Sequence, residues 1–249
     1  MFIFYFYGNY SNKNENGKVY VMFKQLFRKI PFPITPVVII LVGFLTALGA
    51  LNLFLELSED VREQEKIEID QRVIEWTSGV REPVVNHIMV GITELGSKYA
   101  LAGLLVASLI WLGVKRKNYW AMIMFLVASA GGGLLNLALK HWFERDRPNA
   151  SIIEELGYSF PSGHAMGSLI YYGFLGYLVV RSQRSRQEKT FWTLFFSVVI
   201  ILIGISRIYL GVHYPTDIVA GYSAGLLWLF VCITALEGLL FYNKRRSRI

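Results

Sequence analysis

The chain has 249 residues, 54% of them hydrophobic and 17% charged, with a formal net charge of +7. That balance excludes an ordinary soluble domain and points to a membrane class. The basic residues fall between apolar runs and not along one face, which argues against a nucleic-acid partner, and the single cysteine, Cys232, excludes an intrachain disulfide.

The first seven residues, Met1 to Tyr7, are largely aromatic but too short to span a bilayer. The polar stretch from Asn9 to Lys18 lacks the cationic start and small-residue cleavage site of a signal peptide. Residues 1–21 therefore read as a disordered extension or as a start placed too far upstream. Lys24, Arg28 and Lys29 then introduce the first long apolar run. On this reading residues 1–35 form a cytoplasmic N-terminal extension, partly disordered. Residues 36–243 form one membrane domain, and 244–249 a basic cytoplasmic tail.

Six segments are long and apolar enough to cross a membrane, which takes about 20 residues each: 36–56, 97–114, 120–139, 164–181, 190–206 and 217–240. The expected fold class is an all-α integral membrane protein, a bundle of six transmembrane helices. Between the first two spans lies an acidic stretch with Glu59, Asp60, Glu63, Glu65, Glu68, Asp70 and Glu75. Its apolar residues Ile69, Val73, Ile74 and Trp76 recur near helical spacing, as expected for an interfacial helix on the outer side. A solvated helix packed on the loops is the alternative. Gly131-Gly132-Gly133 and Gly221-x-x-x-Gly225 are small-residue sites that allow helices to approach closely.

Alternating spans place Lys24/Arg28/Lys29, Lys115/Arg116/Lys117, Arg181/Arg184/Arg186/Lys189 and Lys244/Arg245/Arg246/Arg248 on one side. By the positive-inside rule that side is cytoplasmic and both termini lie there. Three polar strings then fall together on the outer side: Lys140-x6-Arg147-Pro148, Pro161-Ser162-Gly163-His164 and Ser206-Arg207-x5-His213-x3-Asp217. Charges at a membrane boundary are costly to keep for packing alone.

Each string carries chemistry. Lys140 and Arg147 are seven residues apart, which on a helix puts both on one face about 10 Å apart, suited to gripping phosphate oxygens. Ser162 suits an N-cap and Gly163 a close backbone approach, so the helix start would cradle an anion. His164 beside it can protonate a leaving oxygen. In the third string Pro215 fits the first turn of a helix beginning near Tyr214. Asp217 would then reach back to His213, fix its tautomer and raise the basicity of its other nitrogen. His213 becomes a nucleophile towards phosphorus, while Lys140, Arg147 and Arg207 offset the charge of the transition state. No carboxylate cluster of metal-ligand type accompanies the histidines, so no metal and no cofactor are expected. His87, His141, Glu94 and Glu144 are assigned no catalytic role.

With every position matched in order, the three strings resemble the type 2 phosphatidic acid phosphatase (PAP2) superfamily pattern K-x6-R-P, P-S-G-H and S-R-x5-H-x3-D. The resemblance covers the chain from about Asp70 to the last span. It implies a six-helix bundle, His213 as nucleophile, His164 as acid and a metal-independent reaction through a phosphohistidine. The wording around the motifs is similar to the bacterial branch that includes phosphatidylglycerophosphate phosphatase B and undecaprenyl-diphosphate phosphatases. The function expected is that of a lipid phosphatase in the bacterial plasma membrane, its site facing outward. Its partners would be a lipid phosphate substrate and membrane lipids, with no required protein partner evident. A non-catalytic lipid-phosphate binding or transport protein is one alternative. A haloperoxidase-like enzyme, from a soluble class sharing the motif set, is another.

Overall fold

Every regular element among the described residues of the computed structural model, 34–63 and 68–246, is helical. The elements are α1 (Ile34–Arg62), α2 (Glu68–Gly79), α3 (Pro83–Glu94), α4 (Lys98–Trp111), α5 (Tyr119–Phe143), α6 (Gly163–Arg181), α7 (Arg186–Tyr209) and α8 (Pro215–Arg246). A π turn, Leu112–Arg116, extends α4. The described residues from 44 onward make up one compact unit. The reading of residues 1–21 and the end of the basic tail, 247–249, lie outside the described residues.

Local chemistry sets the helix starts. Ser97, Asn118, Ser162 and Ser185 are N-caps whose side chains accept from the amides of Ala100, Ala121, Ala165 and Glu188. Ser185 and Glu188 form a full capping box. Within the predicted outer segment the chain makes two helices, α2 and α3. Ile74 of α2 is buried, but Ile69 and Trp76 are 61% and 67% exposed. The inward face of α2 is instead Asp70, Ile74 and Thr77, and α2 packs on α7 and α8.

Among the described residues five helices are long and apolar enough to cross a membrane: α1 from Leu41, α4 with its π turn, α5, α7, and α8 as far as Asn243. They make the chain an integral membrane protein. The expected fourth span is a helix, α6, but falls outside that group. Its position explains its composition. α6 packs against α5, α7 and α8 and buries Ala165, Met166, Ser168, Ile170, Tyr171, Tyr172 and Phe174. A helix lined by protein on several sides is selected for close packing and internal hydrogen bonds more than for an oily exterior. By contrast α7 exposes Phe191, Leu194, Val198, Ile201 and Ile205.

The core lies along α6, where Phe125 of α5 stacks on Phe174 at 4.5 Å between centroids. α8 reaches α6 through Gly221 and Gly225. A Cβ on Gly221 would lie 2.7 Å from the Ser162 carbonyl oxygen, and one on Gly225 3.1 Å from that of Met166. The expected close approach is therefore present, and it holds the first turn of α6 against α8. Gly131 and Gly132 make room for Trp228 and Ile170, while Gly133 faces open space.

Gly221→Ala should accordingly cost roughly 1–3 kcal/mol of stability, as at an overpacked core site, and so lower the thermal midpoint in detergent. Gly133→Ala should be neutral or stabilising, since alanine is the better helix former. Equal midpoints for the two variants would contradict the packing.

Candidate active site

Three segments converge at one end of the unit: the 144–162 loop between α5 and α6, the start of α6, and the 210–214 turn between α7 and α8. All eight residues singled out from the sequence lie in or beside this region. The route taken by Arg147 differs from expectation. α5 ends at Phe143 because Glu144 adopts a left-handed conformation, φ 48°, and its amide closes on the Lys140 carbonyl at 3.0 Å. Lys140 and Arg147 therefore do not share a helix face. They meet because the loop turns back: the Lys140 ammonium donates to the Tyr158 carbonyl and, at 3.3 Å, to that of Ser159. Arg147 donates to the carbonyls of Gly157 at 2.9 Å, Tyr158 at 3.3 Å and Val212 at 2.8 Å.

Ser162 caps α6, its hydroxyl fully buried and 3.4 Å from the Ala165 amide. Its own amide donates to the Asp217 backbone carbonyl at 3.0 Å, which ties the second string to the third. Gly163 sits so close to Asn136 that a Cβ would be 2.9 Å from its Oδ1. The charged and titratable neighbours of His164 are Arg207, Glu155, His213 and Arg147.

The third string turns at Gly211, φ 72°, where a Cβ would lie 2.4 Å from the Ala150 carbonyl oxygen. This turn delivers His213 and then Pro215 at the start of α8. Asp217 reaches back as expected: Oδ2 accepts from the Tyr214 amide at 2.9 Å and lies 3.3 Å from His213 Nδ1. The other ring nitrogen, Nε2, is 3.3 Å from Arg147 Nη1. A guanidinium only donates, so Nε2 is the unprotonated acceptor and the ring proton sits on Nδ1, facing Asp217. Burial pushes the His213 pKa down to about 4, against the pull of Asp217. Nε2 thus carries a free lone pair at neutral pH.

Arg207 is 1% exposed. It donates to Thr93 Oγ1 at 3.0 Å and to the Glu155 carboxylate, and its Nε is a buried donor with no protein partner among the described residues. Glu155 also pairs with Arg147 at 3.6 Å. Burial would raise the Glu155 pKa, but the adjoining Arg207 outweighs it and holds the carboxyl at about 2. Glu155 was not singled out from the sequence. Neither were Thr93, Ser159, Asp70 or Arg145. Arg145 donates to Asp217 Oδ1 at 2.6 Å and to Asp70 Oδ2 at 2.7 Å. The available signals were the unexplained second cation in Glu144-Arg145-Asp146-Arg147 and the i, i+4, i+7 spacing of Asp70, Ile74 and Thr77.

This arrangement of an oriented imidazole, a second imidazole and three cations is one in which relatives can be informative. A family model described as PAP2 superfamily matches residues 120–239. The chain is 39% identical over 155 residues to a phosphatidylglycerophosphatase B of Bacillus subtilis (strain 168), covering 61% of this chain and 75% of that protein. The chain belongs to the PAP2 superfamily. It is 32% identical over 185 residues to a Bacillus licheniformis protein named bacitracin transport permease protein BcrC, covering 69% of this chain and 85% of that one. It is 26% identical over 144 residues to an undecaprenyl-diphosphatase of Sulfolobus acidocaldarius, covering 57% and 66%. Its structure matches the crystal structure of a transmembrane PAP2-type phosphatidylglycerolphosphate phosphatase from Bacillus subtilis. That match has a TM-score of 0.72 at 31% identity, over 78% of this chain and 96% of the other. With phosphatases among its PAP2 relatives, the chain is a hydrolase of that family.

At this candidate site the Glu155 carboxylate pairs with two guanidinium groups, those of Arg147 and Arg207, and would compete with an incoming anion for them. Glu155→Gln should therefore tighten orthovanadate binding, by roughly tenfold, or one step of about 1.4 kcal/mol. Calorimetric titration of the purified protein checks this. Unchanged or weaker binding would make Glu155 a support for the cations and not a competitor for their ligand.

Proposed function

We propose that the chain is a membrane lipid phosphatase that hydrolyses a lipid phosphomonoester or diphosphate through a phosphohistidine on His213. The observation that carries this reading is the His213 ring, with Nδ1 3.3 Å from Asp217 and Nε2 3.3 Å from Arg147. An imidazole held in that tautomer has its lone pair directed to the place where three cations can hold a phosphate.

The reaction runs in two displacements. The substrate phosphate takes the donors of Arg147 and Arg207, including the unpartnered Arg207 Nε, and Lys140 adds its charge. Arg147 leaves Nε2 for a phosphate oxygen. His213 Nε2 then attacks phosphorus in line as the bond to the leaving oxygen breaks, and His164, entering the step as the imidazolium, gives that oxygen a proton and becomes neutral. Water, losing a proton to His164, next attacks the phosphohistidine. The N–P bond breaks and neutral His213 returns. The cations supply transition-state charge stabilisation that a metal ion provides in other phosphatases, so activity should survive excess EDTA.

α6 has 19 residues, about 28 Å at 1.5 Å per residue. That is near the roughly 30 Å hydrocarbon thickness and supports it as a sixth span within a six-helix bundle. The cationic loops at 115–117 and 181–189 lie at the opposite ends of α4 to α7 from the site strings. They support cytoplasmic termini and a site opening on the extracytoplasmic face. Substrates of the two classes named for relatives, phosphatidylglycerol phosphate and undecaprenyl diphosphate, fit a site at headgroup level. The relative named as a transport permease protein favours a second reading, lipid or drug handling without catalysis.

Purified protein should release phosphate from one or both lipid classes in EDTA. His213→Ala should lose that activity while eluting as a monodisperse species in detergent. Full turnover by the variant, or a wild-type protein that binds both lipids without releasing phosphate, would overturn the proposal.

A further inference from the structure

We propose that Arg145, braced by Asp70, is a positioning residue that holds Asp217 in the orientation its work on His213 requires. The inference rests on the reading of His213 as the attacking nitrogen.

The two oxygens of Asp217 are divided between different partners. Oδ2 takes the Ser159 hydroxyl, the Tyr214 amide at 2.9 Å and His213 Nδ1 at 3.3 Å. Oδ1 takes Arg145 Nη1 at 2.6 Å. Asp217 is fully buried. An ionised carboxylate there is tolerated only with a counter-charge and saturated hydrogen bonds. The adjoining imidazole is neutral, so it supplies no charge. Among the described residues Arg145 is the one cation paired with Asp217 while the site holds a neutral imidazole.

The orientation of Arg145 is fixed from its other side. Asp70, on α2, takes Arg145 Nη2 at 2.7 Å on Oδ2. The same carboxylate accepts the Thr216 amide at 3.1 Å and the Thr216 hydroxyl at 2.6 Å. The guanidinium lies 4.2 Å over the Tyr214 ring, within cation–π range. Its bonds run to Thr216, Asp217 and Asp70, not to Arg147, Arg207 or Glu155, which line the anion position. Any influence on the reaction therefore passes through Asp217.

The chemical consequence follows from the proton on Nδ1. Without Arg145, the buried carboxylate is relieved most simply by taking up a proton. A protonated Asp217 can donate to the ring as well as accept from it, and it no longer selects the tautomer with Nδ1–H and a free Nε2. The fraction of enzyme ready to attack phosphorus falls, while the cations that hold the phosphate are untouched. Arg145 should thus affect kcat and leave KM nearly alone.

The test is a double-mutant cycle in full-length protein in detergent, with farnesyl diphosphate as the water-soluble probe substrate. Arg145→Gln should lower kcat by about 10- to 100-fold, the usual scale for a partner behind a reacting group, with KM within about threefold. Asp217→Asn should lower kcat at least as much. The double variant should lie within about threefold of Asp217→Asn alone, because the two act as one unit. Arg145→Lys, which keeps the charge without the fork, should restore part of the lost kcat. Multiplicative losses in the double variant, or a wild-type kcat in Arg145→Gln, would overturn the proposal. If Arg145→Gln fails to fold, Asp70→Asn and Arg145→Lys carry the test: each must lower kcat at constant KM, and unchanged kcat in both overturns it. His213→Ala separates the two levels. Turnover without His213 removes the phosphohistidine reading itself. An inactive His213→Ala beside a fully active Arg145→Gln removes only the role given to Arg145.

Discussion

A carboxylate with no exposed surface, Asp217, joins the three polar strings of this molecule. Its side chain accepts from Arg145, Ser159, Tyr214 and His213. Its backbone carbonyl accepts the Ser162 amide. The three polar strings, far apart in the chain, thus meet at the first turn of α8. Burying a carboxylate costs several kcal/mol unless charge and hydrogen bonds compensate. That requirement explains why α2, the 144–162 loop and the α7–α8 turn must all be in place together. The glycines of α8 serve the same end, letting the Ser162 carbonyl come within 2.7 Å of where a Cβ of Gly221 would stand.

The electrostatics of the site follow from cations held before any ligand arrives. Lys140 and Arg147 are fixed by loop carbonyls, and Arg207 by Thr93 and Glu155. Preorganised donors avoid the reorganisation that water would need at the moment of reaction, which is the usual source of large rate effects. Glu155 partly neutralises the cation cluster through its ion pairs with Arg147 and Arg207. The His213 imidazole stays neutral because it is buried, and keeps one tautomer because a donor-only guanidinium and an acceptor-only carboxylate occupy its two sides.

Much of this was legible in the sequence, for physical reasons that differ by element. Lipid-facing helices announce themselves by length and oiliness, so α1, α4, α5, α7 and α8 fall close to the expected spans. The helix starts at Ser162 and Pro215 follow from capping chemistry that acts within four residues. The reach of Asp217 back to His213 is equally local. What the sequence hid was either a single backbone torsion or a long-range partner. The left-handed Glu144 ends α5 early and takes Arg147 off the helix face it was expected to share with Lys140. Asp70 resembled one more acid in an acidic stretch, but it lies on the buried face of α2 opposite Arg145, 75 residues away. Glu155 becomes informative only when folding sets it between Arg147 and Arg207. The segment 164–181 was expected among six spans long and apolar enough to cross a membrane, yet α6 falls outside that group and packs against α5, α7 and α8.

The central claim is that His213 Nε2 becomes bonded to phosphorus. The most direct measurement is rapid quenching of the purified protein with a 32P-labelled lipid phosphate, followed by peptide mapping. The account predicts a label that is stable in base and labile in acid, as a phosphoramidate is, located on the peptide containing His213 and absent from His213→Ala. Steady turnover with no labelled protein at any quench time, or a label on another residue, would contradict it.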